Sequence, residues 1–113
     1  MNKIVTLTQA ASIIKNGDTI ALGGNVLNRA PMAMVREIIR HNIKNLKIIK
    51  TAGAMDVDML CLGECTSSVD AGFISYETEF GLALNYRKAV EHGRVKANEH
   101  ACYTVICGLR AAQ

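Results

Sequence analysis

Short apolar runs alternate with amphipathic segments along the chain, and the connections between them are brief. Strand-like runs cover residues 18–22, 46–50, 69–75 and 95–97. The segments between them have helical spacing, because apolar residues recur there at three- and four-residue intervals. Alternation of strand and helix favours a parallel sheet, since each parallel strand needs a crossover connection. The sequence therefore predicts an α/β fold.

Capping signals mark several helix ends. Thr6 and Gln9 form the pattern of a capping box, in which each side chain binds the backbone of the other. Pro31 is a favourable first helical residue, and Gly93 predicts the end of the helix before the fourth strand. Asp56 and Asp58 are typical of a helix start.

The last predicted helix, over residues 101–113, reaches Gln113 without a capping signal. We therefore expect residues 1–113 to be the N-terminal part of a single domain that is incomplete at the C-terminus. We also expect this helix to expose an apolar face that includes Val105, Ile106 and Leu109.

Composition argues against two classes of partner. Half of the residues are hydrophobic, a fifth are charged, and the formal net charge is only +3. The basic residues form no run longer than a pair such as Arg87-Lys88, so we expect no nucleic-acid partner. No apolar stretch approaches the roughly 18 residues of a membrane span, and the N-terminus lacks a signal-peptide core. We therefore predict a cytoplasmic protein without membrane contact.

The four cysteines, Cys61, Cys65, Cys102 and Cys107, are spaced C-x3-C and C-x4-C. Neither spacing is the C-x2-C pair typical of a zinc ribbon, so we predict no metal site. We expect reduced and mostly packed thiols, because free cysteine is among the most buried residue types and no secretory signal is visible.

The pair Gly23-Gly24 directly follows the first predicted strand and leads to the helix at Pro31. In open α/β sheets, ligands bind beyond the carboxyl ends of the strands, and glycine there allows close approach to the backbone. The spacing is neither that of a dinucleotide-binding Gly-x-Gly-x-x-Gly motif nor that of a P-loop. The pattern alone leaves two interpretations open: a ligand-binding turn, or a plain tight turn.

A longer string around this pair resembles the A-type subunits of family I coenzyme A transferases. It consists of Gly-Asp-Thr-Ile-Ala-Leu-Gly-Gly at residues 17–24, six further residues, Pro31 and an amphipathic helix. Asn28-Arg29-Ala30-Pro31 looks most like the branch that includes glutaconate CoA-transferase, and segments within 46–53 and 93–103 resemble later strands and turns. The resemblance implies an open α/β sandwich with a parallel sheet of the CoA-transferase type.

The resemblance also implies covalent, ping-pong catalysis. In such enzymes a glutamate carboxylate attacks the acyl-CoA thioester and forms a mixed anhydride. The released CoA thiolate returns to give a glutamyl-CoA thioester, which passes CoA to the acceptor acid. In two-subunit members that glutamate lies on the B-type subunit, and no Glu of this chain matches it. The resemblance therefore implies a hetero-oligomer with a B-type subunit, no permanently bound cofactor, and acyl-CoA and a carboxylic acid as substrates.

We predict CoA- and acyl-binding roles for Gly23, Gly24, Asn25, Arg29, Ser75 and Cys102. The glycine turn would supply backbone N–H groups to a tetrahedral oxyanion and a wall of the acyl pocket. Arg29 would meet a substrate carboxylate or a CoA phosphate, although a plain surface role is equally open. Ser75 follows a predicted strand and would face the cleft.

Cys102 departs from the resembled family, in which this place commonly holds Gln or His near the reacting acyl group. In a related branch of CoA-ester hydrolases we expect Glu there. Because a thiol is a weak donor and acceptor, a packed helix thiol is as open as a pocket role. The neighbours Glu99 and His100 could form an acid–base pair, but we favour solvated surface positions for them.

Three functions follow. The first is the A-type subunit of an acyl-CoA:carboxylate CoA-transferase that moves CoA between short carboxylic acids. The second is one component of a CoA-ester hydrolase of the same fold, in which water replaces the acceptor acid. The third is an inactive fragment that only packs against a partner.

Overall fold

The computed structural model describes residues 3–113, and within them five helices alternate with four strands. This confirms the predicted α/β class. The helices are α1 (Leu7–Ser12), α2 (Met32–Arg40), α3 (Met55–Leu62), α4 (Leu84–Glu91) and α5 (Cys102–Ala111). The strands are β1 (Thr19–Ala21), β2 (Leu46–Gly53), β3 (Thr66–Ile74) and β4 (Lys96–Glu99).

The four strands form one open, parallel sheet in the order β1-β2-β3-β4. Ile20, Ile48, Val69 and Ala97 lie side by side across it. Each successive strand of the chain lies next to the preceding one, so the sheet grows toward one edge from β1 to β4. Crossover connections between parallel strands are right-handed. The three connecting helices α2, α3 and α4 therefore lie on one face of the sheet, which we call the helix face.

The main core lies between the sheet and this helix face. Ile48 and Val69 of the sheet pack there with Ile38 of α2, Leu60 of α3 and Ala89 of α4, all of them buried. The apolar residues of α2 recur at helical spacing, so the helix presents one stripe to the sheet, while Arg36 and Arg40 face solvent. Its Glu37 is buried and accepts a hydrogen bond from the Thr8 hydroxyl. The packing of these helices on the sheet holds the carboxyl ends of the strands in a fixed arrangement.

Helix α5 lies across β2 and β3 on the opposite face. Of the three residues expected to be exposed there, Val105 is buried at 6% exposure, so that part of the prediction is wrong. Ile106 and Leu109 are 38% and 36% exposed, as expected. The reason is geometric: Val105 is on the side of α5 that faces the sheet, whereas Ile106 is turned away by about a quarter of a helical turn.

Several element ends differ from the predicted ones by a few residues. Pro31 is the N-cap of α2 rather than its first residue. Helix α3 begins at Met55 and has Asp56 and Asp58 in its first turn, as expected of helix-start residues. The Asp56 Oδ1 atom accepts the backbone N–H groups of Ala54 and Val57 at 3.0 and 2.9 Å. The predicted capping box is confirmed, because the side chains of Thr6 and Gln9 each accept the other's backbone N–H, at 3.2 and 3.0 Å.

Candidate functional site

The first strand leaves the sheet at the glycine pair. Leu22 still donates its backbone N–H to the carbonyl of Ile49 at 3.0 Å, and the chain then turns away at Gly23-Gly24. Gly24 has a φ of +84°, and a Cβ on it would lie 2.5 Å from the Arg29 carbonyl oxygen. Only glycine meets both conditions without distortion. Gly23 differs, because a Cβ there would meet nothing within 4 Å.

The loop after the glycines is a small, tightly bonded turn. Asn25 and Asn28 exchange two backbone hydrogen bonds, of 2.9 and 2.8 Å. Between them, Val26 has a φ of +50°, which is a strained conformation for a β-branched residue. Its N–H donates to the Ala52 carbonyl of β2 at 2.9 Å, and this bond holds the turn against the sheet. Strain of this kind is concentrated at functional sites.

The glycine turn also carries backbone donors that the protein does not use. Within residues 3–113, the N–H groups of Gly23 and Gly24 have no hydrogen-bond acceptor. The next two amides, those of Asn25 and Val26, are both bonded. An unpaired pair of N–H groups beyond the end of a strand is suited to an anionic or carbonyl oxygen of a ligand.

A buried ion pair lies behind this turn. Lys50 of β2 and Asp56 of α3 have fully buried side chains, with Lys50 Nζ 2.9 Å from Asp56 Oδ2. That contact lies outside hydrogen-bond geometry, whereas the same ammonium group donates a hydrogen bond to the Gly23 carbonyl. Sequence reasoning missed this pair. The available signal was a lysine at an inward-facing position of an otherwise apolar strand.

Cys102 is brought to the same place from the other end of the chain. With Tyr76, it packs on a small buried cluster formed by Val26, Ala52 and Ala54. The structure therefore places one side of the glycine-turn loop and Cys102 together at the carboxyl end of β2.

The thiol of Cys102 points to the sheet backbone, where Sγ donates to the Thr51 carbonyl at 3.3 Å. Gly72 of β3 makes this possible, because a Cβ on it would lie 2.5 Å from that sulfur. The thiol is thus partly a packing group, although the residue is only half-buried.

The remaining predicted site residues lie at the same edge with different surroundings. Asn25 and Arg29 are exposed, and within the described chain neither side chain has a hydrogen-bond or ion-pair partner. Ser75 donates its hydroxyl to the Gly81 carbonyl at 3.1 Å and so braces the loop between β3 and α4. The structure therefore leaves the Arg29 guanidinium available to a ligand and occupies the Ser75 hydroxyl.

An open groove of about 540 Å³ begins beside the turn. Its wall is mostly apolar, with Asp58 and Asn85 as the polar groups; the other lining residues are Leu27, Met55, Tyr76, Phe80, Leu82 and Leu84. The Tyr76 hydroxyl donates to Asp58 Oδ2 at 3.1 Å. Burial, followed by the nearby Asp58 charge, raises the pKa of Tyr76 to about 12. Tyr76 is therefore a neutral donor at physiological pH.

Glu99 and His100 do not form a pair. His100 Nε2 lies 2.9 Å from Asp70 Oδ1 on the α5 face of the sheet, where Asn98 also donates to Asp70 at 3.2 Å. Glu99 lies on the helix face beside Tyr86. Neighbouring side chains of a strand point to opposite faces, which explains the separation.

Residues 3–113 contain neither a metal-ligand cluster nor a membrane span. No three of their His, Cys, Asp and Glu side chains are grouped closely enough to hold a metal ion. In the same range, no helix combines the length and the apolar character that crossing a bilayer requires.

Comparison with other proteins gives concordant sequence matches. Residues 4–112 match the family described as Coenzyme A transferase. The IpdA subunit of a cholesterol ring-cleaving hydrolase from Rhodococcus jostii is 31% identical over 111 residues, which are 98% of this chain and 37% of that protein. The A-type subunit of glutaconate CoA-transferase from Acidaminococcus fermentans is 34% identical over 105 residues, which are 89% of this chain and 32% of that protein.

Two solved structures agree with these sequence matches. The crystal structure of the Acidaminococcus fermentans glutaconate CoA-transferase matches with a TM-score of 0.85 at 28% identity, covering 92% of this chain and 33% of that one. A variant of the decarboxylase AibA/AibB matches with a TM-score of 0.87 at 31% identity, covering 96% of this chain and 42% of that one.

The matched relatives are longer than this chain, which spans between about a third and two fifths of their length. The match nevertheless covers nearly all of the present sequence, and the solved relatives have the same α/β fold. The family inferred from the glycine string is thereby confirmed. The chain belongs to the coenzyme A transferase family.

Proposed function

We propose that this chain is part of the A-type subunit of an acyl-CoA:carboxylate CoA-transferase, which moves CoA between short carboxylic acids. In this proposal, residues 1–113 form the N-terminal part of the single domain of that subunit. Family membership supports the reaction class. The similarity to the A-type subunit of a glutaconate CoA-transferase supports the assignment to this subunit type.

The observation that carries the proposal is the pair of unused N–H groups on Gly23 and Gly24. Attack on a thioester carbonyl turns its oxygen into an oxyanion, and fixed backbone donors stabilise that charge without reorganisation. The positive φ of Gly24 shapes the turn that carries these donors, and the hydrogen bond from the Val26 N–H to the Ala52 carbonyl holds that turn against the sheet. The role proposed for the glycine turn is therefore that of an oxyanion hole.

The neighbouring groups fit a short acyl substrate. The groove beside Leu27 and Met55 is apolar and of a size suited to a small ligand. Arg29 is exposed and has no partner among residues 3–113, so its guanidinium is available to a second carboxylate or to a CoA phosphate. Cys102 would contribute a wall of the pocket, with its thiol bonded to Thr51.

The nucleophile would come from a B-type subunit, because no Glu of this chain matches the family's nucleophilic position. The carboxylate oxygen of that Glu would attack the thioester carbon and expel CoA thiolate, leaving a mixed anhydride. The thiolate would then attack the glutamyl carbonyl, release the first acid as a carboxylate and leave a glutamyl-CoA thioester. An acceptor carboxylate would repeat the exchange in reverse.

The decisive experiment uses the assembled complex of this protein with its B-type partner. Isotope-labelled acid is incubated with unlabelled acyl-CoA, and label entering the CoA ester is measured. Borohydride then reduces any protein-bound thioester, and peptide mass spectrometry locates the resulting alcohol. Transfer of label, with the alcohol on a Glu of the B-type subunit, supports the proposal. Absence of transfer for every short acid would refute it.

A CoA-ester hydrolase is the second candidate, because the Rhodococcus jostii relative is named as a hydrolase subunit. The same assay separates the two reactions. A hydrolase releases free CoA with no acceptor acid present, which a thiol reagent detects, whereas a transferase needs the acceptor. The position of Cys102 does not decide between them, since its sulfur is bonded to the Thr51 carbonyl.

A further inference from the structure

The buried pair of Lys50 and Asp56 has no role in the mechanism described so far. We infer that it is a positioning device that aims the Gly24 N–H, with the Lys50 ammonium acting through the Gly23 carbonyl. The inference rests on the proposed function of the glycine turn. Neither side chain lines the acyl groove, and Asp56 reaches the Cys102 cluster only through its hydrogen bond from the Ala54 N–H.

Stability alone is a weak reason for this pair. Both side chains are 0% exposed, and Lys50 occupies the same face of β2 as the core residues Leu46 and Ile48. Removing two charges from water costs several kcal/mol for each ion, and well-packed apolar replacements of such pairs are often neutral or stabilising. The location of the pair is therefore better explained by the hydrogen bond that the Lys50 ammonium group donates to the Gly23 carbonyl.

The pair connects three elements of the sheet edge. Asp56 is fixed at the start of α3, where its Oδ1 atom accepts the N–H groups of Ala54 and Val57. Lys50 extends from β2 to this carboxylate and donates to the carbonyl of Gly23, just beyond β1. The end of β1 is thus linked, through Lys50 of the neighbouring strand β2, to the start of α3.

This tie fixes the direction of one catalytic donor. The carbonyl of Gly23 and the N–H of Gly24 belong to the same peptide unit, which is planar and trans. The two groups consequently point in opposite directions. Because Lys50 holds the carbonyl toward the interior, the Gly24 N–H points away from it, and that N–H has no acceptor within residues 3–113.

The test removes the tie without leaving a buried charge. In the double variant Lys50→Met/Asp56→Asn both charges are lost, while the Asn side-chain oxygen still accepts from Ala54 and Val57. Lys44→Met is the matched control, because Lys44 also donates to a backbone carbonyl, that of Gly63, at 2.9 Å. That contact lies at the opposite end of β2.

Two readouts are compared. In the assembled complex, the double variant should fold with a Tm close to that of the wild type but lose kcat by on the order of 10²-fold, with KM little changed. In the isolated chain, amide exchange at Val26 should accelerate relative to exchange at Ile48, because the turn is released while the core is not. Lys44→Met should change neither.

Several results would overturn the inference. One is a double variant in which both kcat and amide exchange at Val26 are unchanged. Another is an equal loss of kcat in Lys44→Met. A third is failure of the double variant to fold, which would make the pair a stability element. Failure of the proposed function is distinguishable: the wild-type complex would then transfer no CoA, and the exchange comparison alone would decide whether the pair positions the turn.

Discussion

Asp58 of α3 accepts hydrogen bonds from both nitrogens of Asn85, with its Oδ1 atom 2.8 Å from the backbone N and its Oδ2 atom 2.9 Å from Nδ2. Oδ1 also accepts the N–H of Tyr86 at 2.9 Å. The N-cap residue of α4 is Ala83, which has no side-chain acceptor. A carboxylate from the preceding helix therefore caps α4, and its charge is favourable at a helix N-terminus.

This cap leads to a prediction about stability. Asp58→Ala should lower the free energy of unfolding by about 2 kcal/mol, because the half-buried donors of α4 lose their acceptor. Asp58→Asn should cost less, since one oxygen remains. Asp18→Ala is the control: Asp18 also accepts a backbone N–H, that of Lys15 at 2.8 Å, but at an exposed turn. Urea denaturation measures all three, and equal losses for Asp18→Ala and Asp58→Ala would contradict the assignment.

A second prediction tests whether a ligand approaches the glycine turn. A methyl group on Gly23 would meet nothing within 4 Å, so Gly23→Ala should leave Tm nearly unchanged. If substrate approaches there, turnover of the assembled complex should fall, on the order of 10²-fold if the donor is displaced.

Gly108→Ala is the control for that comparison, because a Cβ on Gly108 also meets nothing within 4 Å and the residue lies in α5. It should raise stability by roughly 0.5–1 kcal/mol, as Gly→Ala does inside a helix, and leave turnover intact. Normal turnover in Gly23→Ala would remove Gly23 from the ligand site.

The four thiols should differ in reactivity. Burial raises the pKa of Cys61 to about 12 and raises that of Cys65 as well, and the thiolate is the reactive form. Cys107 is exposed and Cys102 is half-buried. We expect alkylation of the native chain in the order Cys107, Cys102 and then the buried pair, measured by peptide mass spectrometry against time. Early labelling of Cys61 in folded protein would contradict the packing.

Stability should fall in alkaline solution. The pKa of Tyr76 is raised from 10.0, and that of Cys61 from 9.0, each to about 12. Because the folded state favours the protonated forms, their contribution is complete below pH 9 and is lost as pH rises toward about 12. Tyr76→Phe should flatten the loss between pH 10 and 12 while leaving that of Cys61. Thermal melting across this range measures the effect, and an unchanged pH profile in Tyr76→Phe would exclude Tyr76 as its source.

The isolated chain should transfer no CoA between any pair of acids, because the proposed nucleophile belongs to the B-type subunit. The measurement is label exchange with rigorously purified chain, with the assembled complex as the positive control. Turnover by the chain alone, with CoA trapped as a thioester on one of its own Glu residues, would overturn this prediction.

Local patterns were sufficient for much of the fold. Short apolar runs predicted each of the four strands that the structure describes, and the predicted capping box of Thr6 and Gln9 is present. The position of Gly23-Gly24 beyond the first strand was also predicted, since strand and turn are set by neighbouring residues. These features depend on contacts within a few residues, and such contacts can be inferred from sequence alone.

The arrangement of the site required the tertiary structure. The contact of Lys50 with Gly23, the cap that Asp58 provides to α4 and the bond from Cys102 to Thr51 join residues 27 to 51 positions apart. Periodicity shows that a side chain faces inward but not which group it meets there. Asp56 and Asp58 accordingly had the same helix-start prediction. The fold made one of them a partner of a buried lysine and the other the cap of a different helix, because each faces a different neighbour in the packed molecule.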